Sequence, residues 1–244
     1  MHNITATAIA ELNQKFAGKS PTVILEWALA EFGDKISLAC SLGAEDVALL
    51  DMMAKIRPGS RAFVLDTGRL HEETYETLML CRNRFDLKIE CYFPQADAVQ
   101  NLLNTKGPFS FYDSIENRKE CCGIRKVEPL CRALHGLDGW ITGMRRAQSV
   151  TRADTPIVEI DETHGGILKL NPLAEWSESQ VNDYNREHRV PVNPLHAKGF
   201  PSIGCAPCTR AIEAGEDVRA GRWWWESPDN KECGLHVSDA KRHD

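Results

Sequence analysis

Four short apolar runs fix what this chain can become: KISLAC at 35–40, RAFVLD at 61–66, KIECYF at 88–93 and GWITG at 139–143. Helical periodicity lies between them, at Glu45–Lys55, His71–Arg84, Ala96–Asn104 and about Arg118–Leu134. Strands that alternate with helices predict an α/β fold with a mostly parallel sheet and helices on both faces. Ligands of such sheets bind beyond the carboxyl ends of the strands. The loops at Ser41, Asp66 and Gly143 are therefore expected along one rim.

The first 33 residues read as two helices, the second capped by Ser20-Pro21 and stopped by Gly33. PIVEI and ILKLN read as a hairpin around residues 162–166, and SESQVNDYNREH as a short capped helix. From Pro191 onward periodicity is weak, and prolines, glycines and Trp223-Trp224-Trp225 suggest an ordered, irregular tail. The expected organisation is an α/β domain over 1–190 and a tail over 191–244 that packs on it.

The 29 basic and 35 acidic residues leave a net charge of −6, which argues against nucleic acid as a partner. No apolar run approaches the ~20 residues needed to span a bilayer, and MHNITATAIAELNQKF lacks the basic and apolar regions of a secretory signal. The expected setting is the cytoplasm, without a membrane partner. In that reducing compartment the nine cysteines point to metal or redox chemistry.

Cys121-Cys122 and Cys205-Ala206-Pro207-Cys208 supply four thiolates. Four sulfur ligands suit zinc or an iron–sulfur cluster. Adjacent cysteines fit the paired zinc template poorly, whereas each can ligate a different iron of a [4Fe–4S] cubane, so the cluster is favoured and zinc stays as the alternative. Cys233, followed by Gly234 and with His236 three residues on, is a candidate nucleophile or an incidental tail cysteine. Cys40, Cys81, Cys91 and Cys131 fall within regular elements and are expected in the core.

Ser41-Leu42-Gly43-Ala44-Glu45-Asp46 joins the first strand to a helix, where backbone amides can bind phosphate. It is neither a P-loop nor a GxGxxG fingerprint. Arg125, Lys126, Arg145, Arg146, Arg152, Arg219 and Arg222 adjoin the expected rim or the cysteine motifs, which suggests an anionic substrate between the phosphate loop and the thiolates.

Six segments together resemble the bacterial assimilatory sulfonucleotide reductases: Ser-Leu-Gly-Ala-Glu-Asp at 41–46, Leu-Asp-Thr-Gly at 65–68, Cys-Cys-Gly-Ile-Arg-Lys at 121–126, Gly-Met-Arg-Arg-Ala-Gln-Ser at 143–149, Gly-Cys-Ala-Pro-Cys-Thr at 204–209 and Glu-Cys-Gly-Leu-His at 232–236. The paired cysteines point to the iron–sulfur branch, the adenosine 5′-phosphosulfate (APS) reductases. The resemblance implies a Rossmann-like adenine-nucleotide α-hydrolase fold, one [4Fe–4S] cluster on Cys121, Cys122, Cys205 and Cys208, and Cys233 as nucleophile. It also implies nucleotide contacts at Ser41, Leu42, Gly43, Leu65, Thr67 and Gly143. Phosphosulfate contacts are implied at Lys126, Arg152, Arg219, Arg222 and His236. The implied reaction is reduction of APS to sulfite and AMP through an enzyme S-sulfocysteine, with thioredoxin or glutaredoxin as reductant. A homo-oligomer is compatible with all of this. The rival readings are dual use of APS and its 3′-phosphorylated form (PAPS), an iron–sulfur ATP-dependent tRNA thiolation enzyme, and a zinc-stapled nucleotide-binding module. Against the tRNA enzyme, the first loop lacks the Ser-Gly-Gly-x-Asp-Ser pattern of that group.

Overall fold

A computed structural model describes residues 5–149 and 152–227. After α1 (Ala6–Phe16) and α2 (Pro21–Phe32), the chain runs β1 (Ile36–Ala39), α3 (Ala44–Ile56), β2 (Arg61–Leu65), α4 (Glu72–Arg84), β3 (Lys88–Tyr92) and α5 (Ala96–Lys106). It continues through α6 (Ile115–Cys122), α7 (Glu128–Leu134), β4 (Gly139–Ile141), β5 (Val158–Asp161), β6 (Ile167–Leu170) and α8 (Glu178–Glu187). The six strands form one sheet in the order β3-β2-β1-β4-β6-β5. All neighbours are parallel except β5 and β6. This is the mostly parallel α/β architecture that the alternation predicts, and the hairpin takes its place with β6 against β4.

Period-two side-chain alternation divides the core between the two sheet faces. Leu38, Ala62, Val64 and Ile89 face α2, α3 and α4 through Leu25, Leu49, Leu50 and Cys81. Phe63, from the opposite face of β2, packs with Trp140 against Leu130, Ala133 and Leu134 of α7. Burial on both sides explains why the strands read as nearly continuous apolar runs.

Two expectations need correction. The helix expected over Arg118–Leu134 is interrupted by a π-helical turn at Gly123–Val127, in which the Glu128 amide reaches back to the Gly123 carbonyl. Pro129 supplies a reason: it cannot donate to the carbonyl four residues earlier and its ring crowds that carbonyl, so the preceding turn widens. Cys91 and Cys131 are exposed rather than in the core. Cys91 lies on the edge strand β3, and Cys131 sits on α7 beside, not within, the side that carries Leu130, Ala133 and Leu134 to the sheet. Cys40 and Cys81 are buried as expected.

The outer edge of β5 is closed by one side chain. The Asn13 amide donates to the Val158 carbonyl at 2.7 Å and accepts from the Val158 amide at 3.0 Å, standing in for a neighbouring strand. Asn13→Ala removes both bonds and should lower unfolding free energy by about 1–3 kcal/mol in a urea titration. An unchanged midpoint would show that the edge is held by other contacts of α1.

Candidate active site

A cavity of about 430 Å³ opens at the carboxyl ends of β1, β2 and β4. Its walls include Ser41 and Gly43 from the first loop, Leu65 and Thr67 from the second, and Gly143 from the loop after β4. The three loops thus share one rim, as the alternation requires. Lys126, Arg145, Arg152, Arg219 and Arg222 also line it, so five of the cations singled out in the sequence converge on the same space.

Asp46, 7% exposed, organises the rim. Its Oδ2 accepts from the Ser41 amide and the Ser41 hydroxyl, both at 2.6 Å, and the Gly143 backbone also bonds to this carboxylate. Burial pushes the Asp46 carboxyl up to about 6, against the lowering effect of the Ser41 bonds. Leu42 turns the other way: its side chain is buried in the core and its backbone is left-handed at φ 63°. That conformation disfavours a branched residue, and core packing around the side chain opposes the strain. Leu42, expected as a nucleotide contact, is therefore turned into the core and is not among the residues that line the cavity.

Two of these arginines have their charge already engaged: Arg145 lines the cavity beside Glu45, and Arg146 lies outside its lining. Arg145 is buried in an ion pair with Glu45 at 2.7 Å, and Arg146 pairs with Glu175 and donates to the Thr155 carbonyl. Arg125 donates to the Thr67 carbonyl at 2.6 Å, behind the second loop.

A smaller pocket adjoins the cavity, lined by Cys121, Cys122, Cys205 and Cys208 together with Arg69 and Arg125. The first pair ends α6 and the second flanks a short 3-10 turn at Ala206–Cys208. Lys126, Cys205 and Trp223 line both pockets and form the wall between them. Among the described residues no three His, Cys, Asp or Glu gather as a single-ion metal site. The thiols instead surround a shared space. Both lining arginines have one nitrogen, Arg69 Nη1 and Arg125 Nε, buried without a hydrogen-bond partner. Four soft donors beside spare guanidinium N–H groups fit a thiolate-held, electron-rich group.

The thiols are not equivalent. Burial raises the Cys205 thiol, but Lys126, the Thr67 hydroxyl 3.2 Å away, Arg222 and Arg125 outweigh it and leave Cys205 below the ordinary thiol value. Cys208 is pushed up to about 12 by burial and by Cys205.

The segment carrying Cys205 and Cys208 is locked to α6 through Trp223. This ring is buried and two guanidinium groups lie over it, Arg118 at 4.9 Å and Arg222 at 4.7 Å. Arg118 also makes a bidentate pair with Glu226, at 2.9 and 2.7 Å, with both side chains almost fully buried. Sequence reading did not single out Arg118, Glu226, Arg69 or Trp223 as parts of the site. Arg118 could have been found, since residues 118, 121, 122 and 125 share one helical face; the partner Glu226 carries no local signal. The predicted nucleophile Cys233 and its neighbour His236 lie outside the described residues.

Comparison with known proteins gives a consistent picture. Residues 35–211 match the phosphoadenosine phosphosulfate reductase domain family. An adenosine 5′-phosphosulfate reductase of Allochromatium vinosum is 54% identical over 203 residues, which span 83% of this chain and 79% of that protein. One from Burkholderia cepacia is 52% identical over 237 residues, 96% of this chain and 93% of the relative. Among solved structures, phosphoadenylyl-sulfate (PAPS) reductase from Candida auris in its phosphate complex superposes with a TM-score of 0.73 at 26% identity, covering 85% of this chain and 98% of that one.

Two predictions follow from the rim. A Cβ at Gly143 would lie 2.2 Å from Asp46 Oδ1 and 2.9 Å from Glu45 Cβ, so Gly143→Ala should cost about 1–3 kcal/mol of stability by urea titration; wild-type stability would show that the loop yields freely. Because the folded-state value of Asp46 is raised from 3.8 to about 6, the folded chain holds this proton more tightly than the unfolded one. Stability from this group is present at low pH and declines as pH rises between those values, by on the order of 3 kcal/mol. Denaturation of wild type and Asp46→Asn at pH 4 and pH 7 checks this: their difference should shift in favour of the variant, and a pH-independent difference would refute it.

Proposed function

The chain belongs to the phosphoadenosine phosphosulfate reductase family, and on that premise we propose that it reduces adenosine 5′-phosphosulfate to sulfite and AMP, using a dithiol protein such as thioredoxin or glutaredoxin. The observation that carries the reading is the shared wall: Lys126 and Cys205 belong both to the large cationic cavity and to the four-thiol pocket. Close relatives named for APS reduction, at about half identity over most of the chain, support this substrate.

In the proposed reaction the Cys233 thiolate attacks the sulfur of APS. A bond forms between the cysteine sulfur and the sulfonate sulfur as the bond from that sulfur to the phosphate oxygen breaks, and AMP leaves with the electron pair. A thiolate of the reductant then attacks the Cys233 sulfur and sulfite departs. The second thiol of the reductant resolves the mixed disulfide and restores Cys233. The reductant is oxidised to a disulfide and the sulfonate sulfur is reduced. Covalent catalysis of this kind separates group transfer from reduction.

The residues of the cavity have distinct duties in this scheme. Lys126, Arg152, Arg219 and Arg222 offset the charge of the phosphosulfate and of the phosphate that leaves. Ser41, Gly43 and Gly143 offer the nucleotide a rim that Asp46 holds in shape. Cys121, Cys122, Cys205 and Cys208 would hold a [4Fe–4S] cluster, and Arg69 and Arg125, which line the same space, carry buried N–H groups without a partner. When bound, such a cluster supplies a charged, rigid body beside the substrate pocket. We assign the protein to a reducing compartment, the cytoplasm, where clustered thiolates stay available as metal ligands.

The relation to the Candida auris structure favours a second reading, use of PAPS as well as APS. Sulfite release from each nucleotide, with a dithiol reductant and anaerobically purified protein, decides between them. APS alone is expected to be turned over at a useful rate. Cys233→Ser should abolish turnover and leave AMP binding intact. Wild type incubated with APS and no reductant should gain the mass of one SO₃ on the peptide that contains Cys233. Label on Cys205 or Cys208 would transfer the nucleophilic role to them.

A further inference from the structure

We propose that Gln148 is a positioning residue, which sets the Arg152 guanidinium against the anionic end of the bound nucleotide. The inference rests on the reading of the large cavity as a sulfonucleotide site. It concerns a residue that makes four hydrogen bonds with one amide. Gln148 Oε1 accepts from Arg152 Nη1 at 2.5 Å and from the Arg145 amide at 3.1 Å. Gln148 Nε2 donates to Glu45 Oε1 at 3.0 Å and to the Gly143 carbonyl at 3.3 Å.

These partners leave the amide one orientation. A carboxylate and a carbonyl can only accept, so the NH₂ must face Glu45 and Gly143. The oxygen must then face Arg152, which can only donate. The short 3-10 turn at Arg146–Gln148 fixes where the side chain starts, and the bond from the Arg145 amide closes that turn. Gln148 and Arg152 both line the cavity.

The choice of glutamine over glutamate has a physical reason. Glu45 already carries the buried ion pair with Arg145. A second carboxylate at position 148 would face the first across the distance now bridged by an N–H bond. It would also cancel the charge of Arg152. A neutral oxygen orients the guanidinium without itself neutralising it, which is what an anion-binding arginine needs.

The test is a double-mutant cycle on ligand affinity, read by calorimetry with AMP and with adenosine. Gln148→Met keeps the volume and removes the hydrogen bonds. It should weaken AMP about tenfold, leave adenosine within about twofold, and have no further effect once Arg152→Ala is present. Losses that multiply, or an equal loss for adenosine, would overturn the proposal, because they would mark Gln148 as a support of the loop alone. Gln148→Glu is the second variant. It should cost more AMP affinity than Gln148→Met, and that excess should shrink in the Arg152→Ala background, where only repulsion from Glu45 and from the phosphate remains; an excess of unchanged size counts against the idea. If wild type binds AMP but releases no sulfite from APS, the functional reading fails while the cycle still decides the coupling. Wild type that binds neither nucleotide would overturn both.

Discussion

The buried pair between Arg118 and Glu226 is the contact on which the thiol pocket depends. Two charges taken out of water carry a large desolvation cost, which is offset only by good geometry and by further bonds. Here the pair is bidentate, and the guanidinium also lies over the Trp223 ring, as does that of Arg222. Removal of either charge would strand the other in the interior, so α6 and the segment up to Glu226 are held together as a unit. The consequence is chemical. Cys121 and Cys122 lie one turn along α6 from Arg118, and Cys205 and Cys208 lie within the segment that Glu226 ends.

From that junction the electrostatics run in one direction. Arg125 and Lys126 continue the face of α6 that carries the cysteines, and Arg222 comes from the opposite side. Together they act on Cys205, and with the Thr67 hydroxyl they favour its anionic form despite complete burial. The same Lys126 faces the larger cavity. One ammonium group is therefore placed to answer negative charge on either side of the wall. This arrangement needs no contact between the two pockets other than that wall.

Much of the framework was legible in the sequence, because strand periodicity and the strand–helix alternation are local signals. They placed the loops at Ser41, Asp66 and Gly143 on a common rim, and the same rim gathers Lys126, Arg145, Arg152, Arg219 and Arg222. What escaped has physical reasons. Arg145 reads as an anion-binding residue until its neighbour through space is known to be Glu45, a hundred positions earlier. Trp223 reads as tail packing, although Arg118 lies over its ring from more than a hundred residues upstream. Cys131 was a misreading of available information, since Leu130, Ala133 and Leu134 already define the inward side of its helix. Cys91 was less accessible to inference, because nothing local says that β3 is an outermost strand.

The widened turn at Gly123–Val127 makes the helix and the pocket rivals for one residue. A π turn holds one more residue than the α-helical turn it replaces, and its hydrogen bonding is less favourable. Loss of a single residue there, with Pro129 replaced by a residue that can donate, would let α6 and α7 merge into an ordinary helix with a better bonded backbone. It would also swing everything upstream by about 100° about the helix axis, carrying both neighbouring thiols and Arg118 off the pocket. Local regularity has been given up so that two faces of one helix, set by unrelated neighbours, can each meet their own target. A homologue with the shorter, smoother helix would be expected to have abandoned the thiol ligands as well.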